Sequence, residues 1–291
     1  MSADNLRGIG AMLAAMAAFV VNDTMMKLAA AELPTGQVIC LRGLVMVPTL
    51  GAFLLATAGP GTVRTLFRPA ILARSVAEVG AAALYLTALF HMPIADCTAI
   101  FQFTPLALTA GAALFLGVHV GWRRWLAALI GLAGVLIIIR PGAATFNPYA
   151  ALALLSVFCV AARDLITRTL GAEVPTQAIA FTSTTAVALS ALGFLPFETW
   201  HWPSSSALLA IAGASTAFLA AQYWIIHAMR TGDIAVVAPF RYSVILWAIA
   251  AGFALWGEVP DAATWIGIAI VTAAGLYTFL RERQLARAAR T

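Results

Sequence analysis

An all-α membrane protein of ten transmembrane helices, arranged as a 5+5 inverted-topology repeat, is the fold class this sequence predicts. Three observations carry it. The 291 residues are 62% hydrophobic and only 10% charged, against roughly 25% charged in a soluble domain. The apolar residues fall into ten runs of the roughly 20 residues that carry a helix across the hydrocarbon layer. The stretch 88–139 is also spelled a second time, without a gap, at 228–279.

Pro, Gly and charge punctuation divides the chain in order. The first span, 7–29, follows Arg7 and ends at Glu32-Leu33-Pro34. The second, 35–58, carries Arg42 and stops at Gly59-Pro60-Gly61, and the third, 70–91, holds Glu78 and Tyr85 and ends at Met92-Pro93. The fourth, 94–117, contains Phe101, Gln102, Phe103 and Pro105, and the fifth, 121–140, stops at Pro141-Gly142. The sixth and seventh cover 148–168 and 175–196, with Trp202-Pro203 before the eighth at 206–229. The ninth, 233–256, contains Pro239, Arg241 and Tyr242, and Glu258-Val259-Pro260 separates it from the tenth at 261–281.

The repeat sets the organisation. An offset of 140 places Ala88 on Ala228, Ile94-Ala95 on Ile234-Ala235, Ala110 on Ala250, Gly117 on Gly257 and Trp125 on Trp265. Ile130, Ala133 and Leu136 fall on Ile270, Ala273 and Leu276. An offset of 141 carries Asp23 onto Asp164, Lys27 onto Arg168, Ala31-Glu32 onto Ala172-Glu173 and Pro34-Thr35 onto Pro175-Thr176. The first span, whose Ala14 to Ala18 run would also suit a signal peptide, therefore belongs to the mature fold. The units are 1–145 and 146–291. Five spans is an odd number, so the second unit enters the bilayer from the opposite face, and a two-fold axis in the membrane plane relates the halves. The symmetry is broken where Arg42 faces Ser183.

Charge sets the orientation. With the N-terminus inside, thirteen bases lie on the cytoplasmic side: Arg7, Arg64, Arg68, Arg74, Arg123, Arg124, Arg163, Arg168, Arg230, Arg281, Arg283, Arg287 and Arg290. Only Lys27 and Arg140 lie opposite. The positive-inside rule then puts both termini in the cytoplasm. The net charge of +5 is explained by these loops and the tail, so no nucleic-acid partner is expected. Cys40, Cys97 and Cys159 sit in apolar runs with no CxxC spacing and read as small buried hydrophobes.

The ten spans, the inverted repeat and the repeat ends Phe115-Leu116-Gly117 and Leu255-Trp256-Gly257-Glu258 resemble the drug/metabolite transporter superfamily, in particular its EamA-type branch. Arg42 and the run 125–134 (WLAALIGLAG) add to the resemblance, which covers essentially the whole chain. In length and layout the amino-acid exporters look most similar. The resemblance implies a secondary transporter of the bacterial inner membrane, without cofactor or enzymatic activity. Its expected substrates are amino acids or related small zwitterions, moved chiefly outward. Uptake of a vitamin or nucleotide-like metabolite is the alternative, and an intramembrane enzyme acting on lipid is a more distant one.

Ionisable groups within a bilayer are expensive, so they are the first functional candidates. Glu78 and Arg241 each lie nine residues into a span, about 13 Å deep at 1.5 Å per residue. Gln102 and Tyr242 share that level and are equivalent in the repeat. Arg241 reads either as the anchor of an anionic substrate group or as a structural partner of Glu78. Glu78 could also hold a proton or a substrate amine. Tyr85, Phe101, Phe103, Tyr223 and Trp224 are candidate flat walls, with Gln222 beside them. Arg42, about 10 Å from the outer end, is read mainly as structural. Asp23 with Lys27 and Asp164 with Arg168 are expected to be local i,i+4 ion pairs. His227 and Asp96 are expected to be solvated at span ends. Trp122, Trp125, Trp200 and Trp202 read as an interfacial belt. Pro105 and Pro239 should kink the fourth and ninth spans beside a cavity. No GxxxxGK[ST], GxSxG, HExxH or Cys/His metal spacing occurs. An aspartyl dyad of Asp23 and Asp164 is excluded because the repeat puts them near opposite faces.

Overall fold

The computed structural model describes residues 3–57, 62–118, 121–143, 146–170, 174–231 and 234–288. Within them the regular structure is entirely helical. The helices are α1 (Ala3–Ala30), α2 (Thr35–Thr57), α3 (Thr62–Thr65), α4 (Pro69–His91), α5 (Ile94–Phe101), α6 (Thr104–Phe115) and α7 (Trp122–Ile139). They continue as α8 (Pro148–Thr169), α9 (Thr176–Ser190), α10 (Ser205–Thr231), α11 (Ile234–Val237), α12 (Ser243–Trp256) and α13 (Ala262–Ala288). Turns of 3₁₀ helix at Ala191–Phe194 and Ala238–Tyr242 extend α9 and lead into α12.

Ten of these segments are long and apolar enough to cross a membrane. Their limits agree with the sequence reading to within a few residues, the ninth starting latest, at Ala238. The expected turn at Gly59-Pro60-Gly61 and the repeat match at Ala172-Glu173 lie outside the described residues. So do the side chains of Arg64, Arg283, Arg287 and Arg290.

The packing has the symmetry of the repeat. α1 lies along α10 and α4 along α8, and exchanging the halves turns one pair into the other. The contact of α6 with α8 likewise has its counterpart in that of α12 with α1, while α2–α9 and α7–α13 map onto themselves. Lipid tails are as apolar as leucine, so small residues that let backbones approach must hold such pairs together. At the α7–α13 crossing a Cβ on Gly267 would stand 2.7 Å from the Gly134 carbonyl oxygen. Only glycine allows that approach.

Matched local chemistry repeats too. Gly117 and Gly257 end α6 and α12 with φ of +64° and +65°, the left-handed conformation glycine adopts without strain. Val118 N–H donates to the Ala112 carbonyl at 3.3 Å, and Glu258 N–H to that of Gly252 at 3.1 Å. These are the same Schellman bond, one repeat apart. Ser75 and Ser215 are both buried, and each donates at 2.9 Å to the carbonyl four residues back.

The fourth and ninth spans both carry a break in the regular helix. Pro105 has no N–H for the Phe101 carbonyl, and the Thr104 hydroxyl takes that acceptor at 2.6 Å. Gln102 and Phe103 form the turn between α5 and α6. In the ninth span the break is the 3₁₀ turn Ala238–Tyr242.

Candidate functional site

A polar seam runs through the middle of the bundle. On α4, Arg74, Glu78 and Tyr85 fall on one stripe at 3.6 residues per turn. Across from them, α8 presents Arg163 and Asp164. The Arg163 guanidinium donates to both Glu78 carboxylate oxygens at 3.0 and 3.2 Å and to Asp164 at 2.9 Å. Arg74 stands 3.3 Å from Glu78 and also donates to the Thr167 hydroxyl at 2.9 Å and to that of Ser183 on α9. Glu78 therefore carries two arginines.

Farther along α4, the Tyr85 hydroxyl donates to Asp23 of α1 at 2.6 Å, and the Asn22 amide donates to the other Asp23 oxygen at 2.9 Å. The Tyr85 and Phe101 rings lie 4.8 Å apart, tilted by 55°. From α2 the Arg42 guanidinium covers the Phe218 ring at 4.9 Å and lies in the field of both Asp23 and Glu78. The 140-residue offset puts Ala214, Phe218 and Ile225 of α10 where α4 has Arg74, Glu78 and Tyr85. The α4 flank of the seam thus has no polar counterpart on α10, whereas Asn22 and Asp23 of α1 match Arg163 and Asp164 of α8 at an offset of 141.

The face holding the α1–α2, α4–α5 and α12–α13 turns is laced shut. Lys27 Nζ binds Glu258 at 2.9 Å and the Met92 carbonyl at 2.8 Å, and sits 4.7 Å over the Trp256 ring. The other Glu258 oxygen accepts the Ile94 N–H at 3.1 Å, a carboxylate at the positive end of α5. Glu198 does the same for α2, accepting the Gly36 N–H at 2.9 Å. Ser204 donates to Glu32 through its N–H at 2.7 Å and its hydroxyl, which holds the Glu32 carboxyl below its usual range. Arg140 pairs with Asp261, which also accepts the Thr264 N–H at 2.9 Å as the cap of α13. Those two bonds lower the Asp261 carboxyl to about 2. On the opposite face the repeat puts Arg168, Val118 and Leu116 where this one has Lys27, Glu258 and Trp256. No carboxylate replaces Glu258 there.

Two cavities among the described residues are lined by residues outside the seam. One of about 700 Å³, between α6, α7 and α8, is lined almost wholly by apolar groups including Phe103, Leu129 and Phe158. The other, about 360 Å³, opens at the laced face between Asp96, Arg140, Asn147 and Asp261.

The structure brings only part of the expected site together. Glu78, Tyr85 and Phe101 belong to the seam. Gln102 is half-buried at the α5–α6 turn, and Arg241 is exposed in the equivalent turn of the ninth span. Tyr242 abuts α13, its hydroxyl occupying the space a side chain at Gly275 would need. Among the described residues Arg241 and Glu78 do not pair. Tyr223, 63% exposed, forms an aromatic edge with Trp224 and His227. That edge lies on the side of α10 away from Phe218, Ile225 and Ala228, which pack on α1.

Two expected local i,i+4 pairs do not form. Lys27 turns from Asp23 to Glu258, because the laced face offers it a carboxylate and a carbonyl at once. Asp164 binds Arg163 rather than Arg168, which is exposed. Asp96 is half-buried rather than solvated. The sequence reading also left Arg163 and Arg74 in the cytoplasmic margin, whereas both reach Glu78. Their depth of five or six residues inside a helix end was the available signal. Among the described residues no group of three or more His, Cys, Asp or Glu could hold a metal.

Comparison with known proteins supports the layout. The family model described as EamA-like transporter family matches residues 6–140 and again 147–280. The pseudopaline exporter CntI of Pseudomonas aeruginosa is 28% identical over 274 residues, 91% of this chain and 94% of its own. The riboflavin transporter of Vibrio cholerae serotype O1 is 30% identical over 191 residues, 65% of this chain and 63% of its own. The S-adenosylmethionine uptake transporter of Rickettsia prowazekii is 25% identical over 194 residues, 66% and 65%. The match thus spans less than two thirds of these last two relatives. A solved crystal structure with 22% identity superposes with a TM-score of 0.61, covering 95% of this chain and 98% of its own, which shows a shared fold.

Proposed function

The chain belongs to the EamA-like transporter family of the drug/metabolite transporter superfamily, and on that premise we propose that it is a secondary carrier of small zwitterions such as amino acids, working chiefly outward and without enzymatic activity. The observation that carries this reading is the seam: acids and bases meet at mid-depth across helices of both halves, where lone charges would be too costly to keep. A solute bearing one charge of each sign fits a site that offers both.

In this reading 1–145 and 146–291 are the two halves, and both termini face the cytoplasm of a bacterial inner membrane. Rocking the halves opens the centre to each side in turn. Tyr85, Phe101, Gln102, Arg241 and Tyr242 line the path, while Glu78, held by two arginines, ties α4 to α8. The relatives named for uptake of riboflavin and S-adenosylmethionine keep a second reading open, import of a vitamin or nucleotide-like metabolite.

Counterflow in proteoliposomes with a panel of labelled amino acids, riboflavin and S-adenosylmethionine tests the proposal. Exchange of at least one amino acid above protein-free vesicles is expected. Exchange of riboflavin or S-adenosylmethionine alone would support the second reading instead.

A further inference from the structure

The seam's charges do not all find ionic partners. Glu78 is shared by Arg74 and Arg163, and Arg163 also holds Asp164. That leaves one base and one acid. Among the described residues the Arg42 guanidinium has no hydrogen-bond acceptor, and its one close partner is the face of Phe218. Asp23 is held by a tyrosine hydroxyl and an amide, both neutral. Beside it Asn22 is 5% exposed, and its side-chain oxygen has no donor among the described residues.

Each group has unused bonding capacity. Arg42 is half-buried, and an arginine whose in-plane N–H donors meet no protein acceptor has them free for a ligand. The Phe218 ring lies 4.9 Å from the guanidinium carbon, and a guanidinium with no other close partner among the described residues offers its fork of N–H donors for bidentate grip of a planar carboxylate. An ionised carboxylate offers about four lone-pair sites, and Tyr85 and Asn22 fill two at Asp23. The rest, with the unused Asn22 oxygen, match the several donors of an ammonium group. The Tyr85 and Phe101 rings form a flat wall beside Asp23.

We propose that Arg42 is the residue that grips the substrate's carboxylate and that Asp23, with Asn22, receives its ammonium group. The inference rests on the zwitterion-carrier reading and makes it specific: the anion is anchored on α2, at the position where the repeat breaks its symmetry against Ser183, rather than on Arg241. Arg241 then stands on the path to the site. Glu78 is a positioning residue.

The test compares labelled amino acids with their C-terminal amides, which keep the ammonium and lose the carboxylate. Counterflow is measured for the wild type, Arg42→Gln, Arg42→Lys and Asp23→Asn, each checked for a monodisperse elution profile. The wild type should favour acids over amides by about tenfold or more in KM. Arg42→Gln should lose that preference, and Arg42→Lys should keep only part of it, with the KM of acids raised relative to that of amides. Asp23→Asn should weaken acid and amide together. Should Arg42→Gln fail to fold, Arg42→Lys decides, since a merely structural arginine predicts no rise in KM for acids relative to amides. Undiminished preference in Arg42→Gln overturns the assignment and leaves the carrier reading standing. No flux of any acid in the wild type overturns both.

Discussion

Lys27 and Glu258, 231 positions apart, meet at 2.9 Å and between them hold the Met92 carbonyl and the Ile94 N–H. A side chain from the start of the chain and one from near its end thus clamp the turn between α4 and α5. The pair is mostly buried, with 11% and 21% of the two side chains exposed.

Glu258→Gln should loosen that clamp. Leaving a buried donor short of its partner costs about 1–3 kcal/mol, enough to raise an open population roughly tenfold. Cys97, buried on α5 just beneath the turn, is the natural reporter once Cys40 and Cys159 are replaced by alanine. Its reaction with a water-soluble maleimide should speed up about tenfold in both Glu258→Gln and Lys27→Met. Equal rates in the wild type and both variants would mean that the pair does not guard this face.

Glu78 and Arg163 should be energetically coupled. Removing the carboxylate leaves Arg74 and Arg163 facing each other without an acid between them. A double-mutant cycle of Glu78→Gln with Arg163→Met, read by thermal unfolding in detergent, should give a coupling of about 1 kcal/mol or more. Additive losses would show that the pair contributes nothing beyond its separate parts.

The Arg140–Asp261 contact should be insensitive to pH over the neutral range and fail in acid. Because the folded carboxyl titrates at about 2, below the usual aspartate value of about 3.9, its contribution is complete above pH 4 and is lost as the pH falls towards 2. Asp261→Asn should therefore lower the melting temperature at pH 7 and lower it less at pH 3. A gap that widens on acidification would contradict this assignment.

Gly267→Val should force α7 and α13 apart. The new side chain would meet the Gly134 backbone and Ile138, and overpacking of that kind costs about 1–3 kcal/mol. A loss of melting temperature relative to Gly10→Ala is expected, since a Cβ at Gly10 meets nothing within 4 Å. Equal stability of the two variants would show that the crossing has room to spare.

Much of the architecture was legible because it depends on local quantities. Span length is counted along the chain, the Gly117 and Gly257 ends are tight turns with a positive φ, and the break after Phe101 follows from Pro105's missing donor. The site was legible only in depth. Glu78 was picked out by its distance from a helix end, but depth says nothing of which neighbour a side chain faces. Spacing of four residues made Asp23 a partner for Lys27, whereas helix packing gave Asp23 to Tyr85 and Lys27 to Glu258. Arg42 reads as structural in the sequence because nothing in one sequence reveals that Phe218 comes to lie beneath it.

The lopsided seam also bears on vectorial movement. A substrate held, as proposed, against the polar flank of α4 would lie off-centre, since the matching flank of α10 offers alanine, phenylalanine and isoleucine instead. When the halves trade shapes, the cargo meets unlike walls on its two sides, so loading and release need not be mirror images. Walls of this kind can give the two faces different affinities, while the gradients set the net direction of travel.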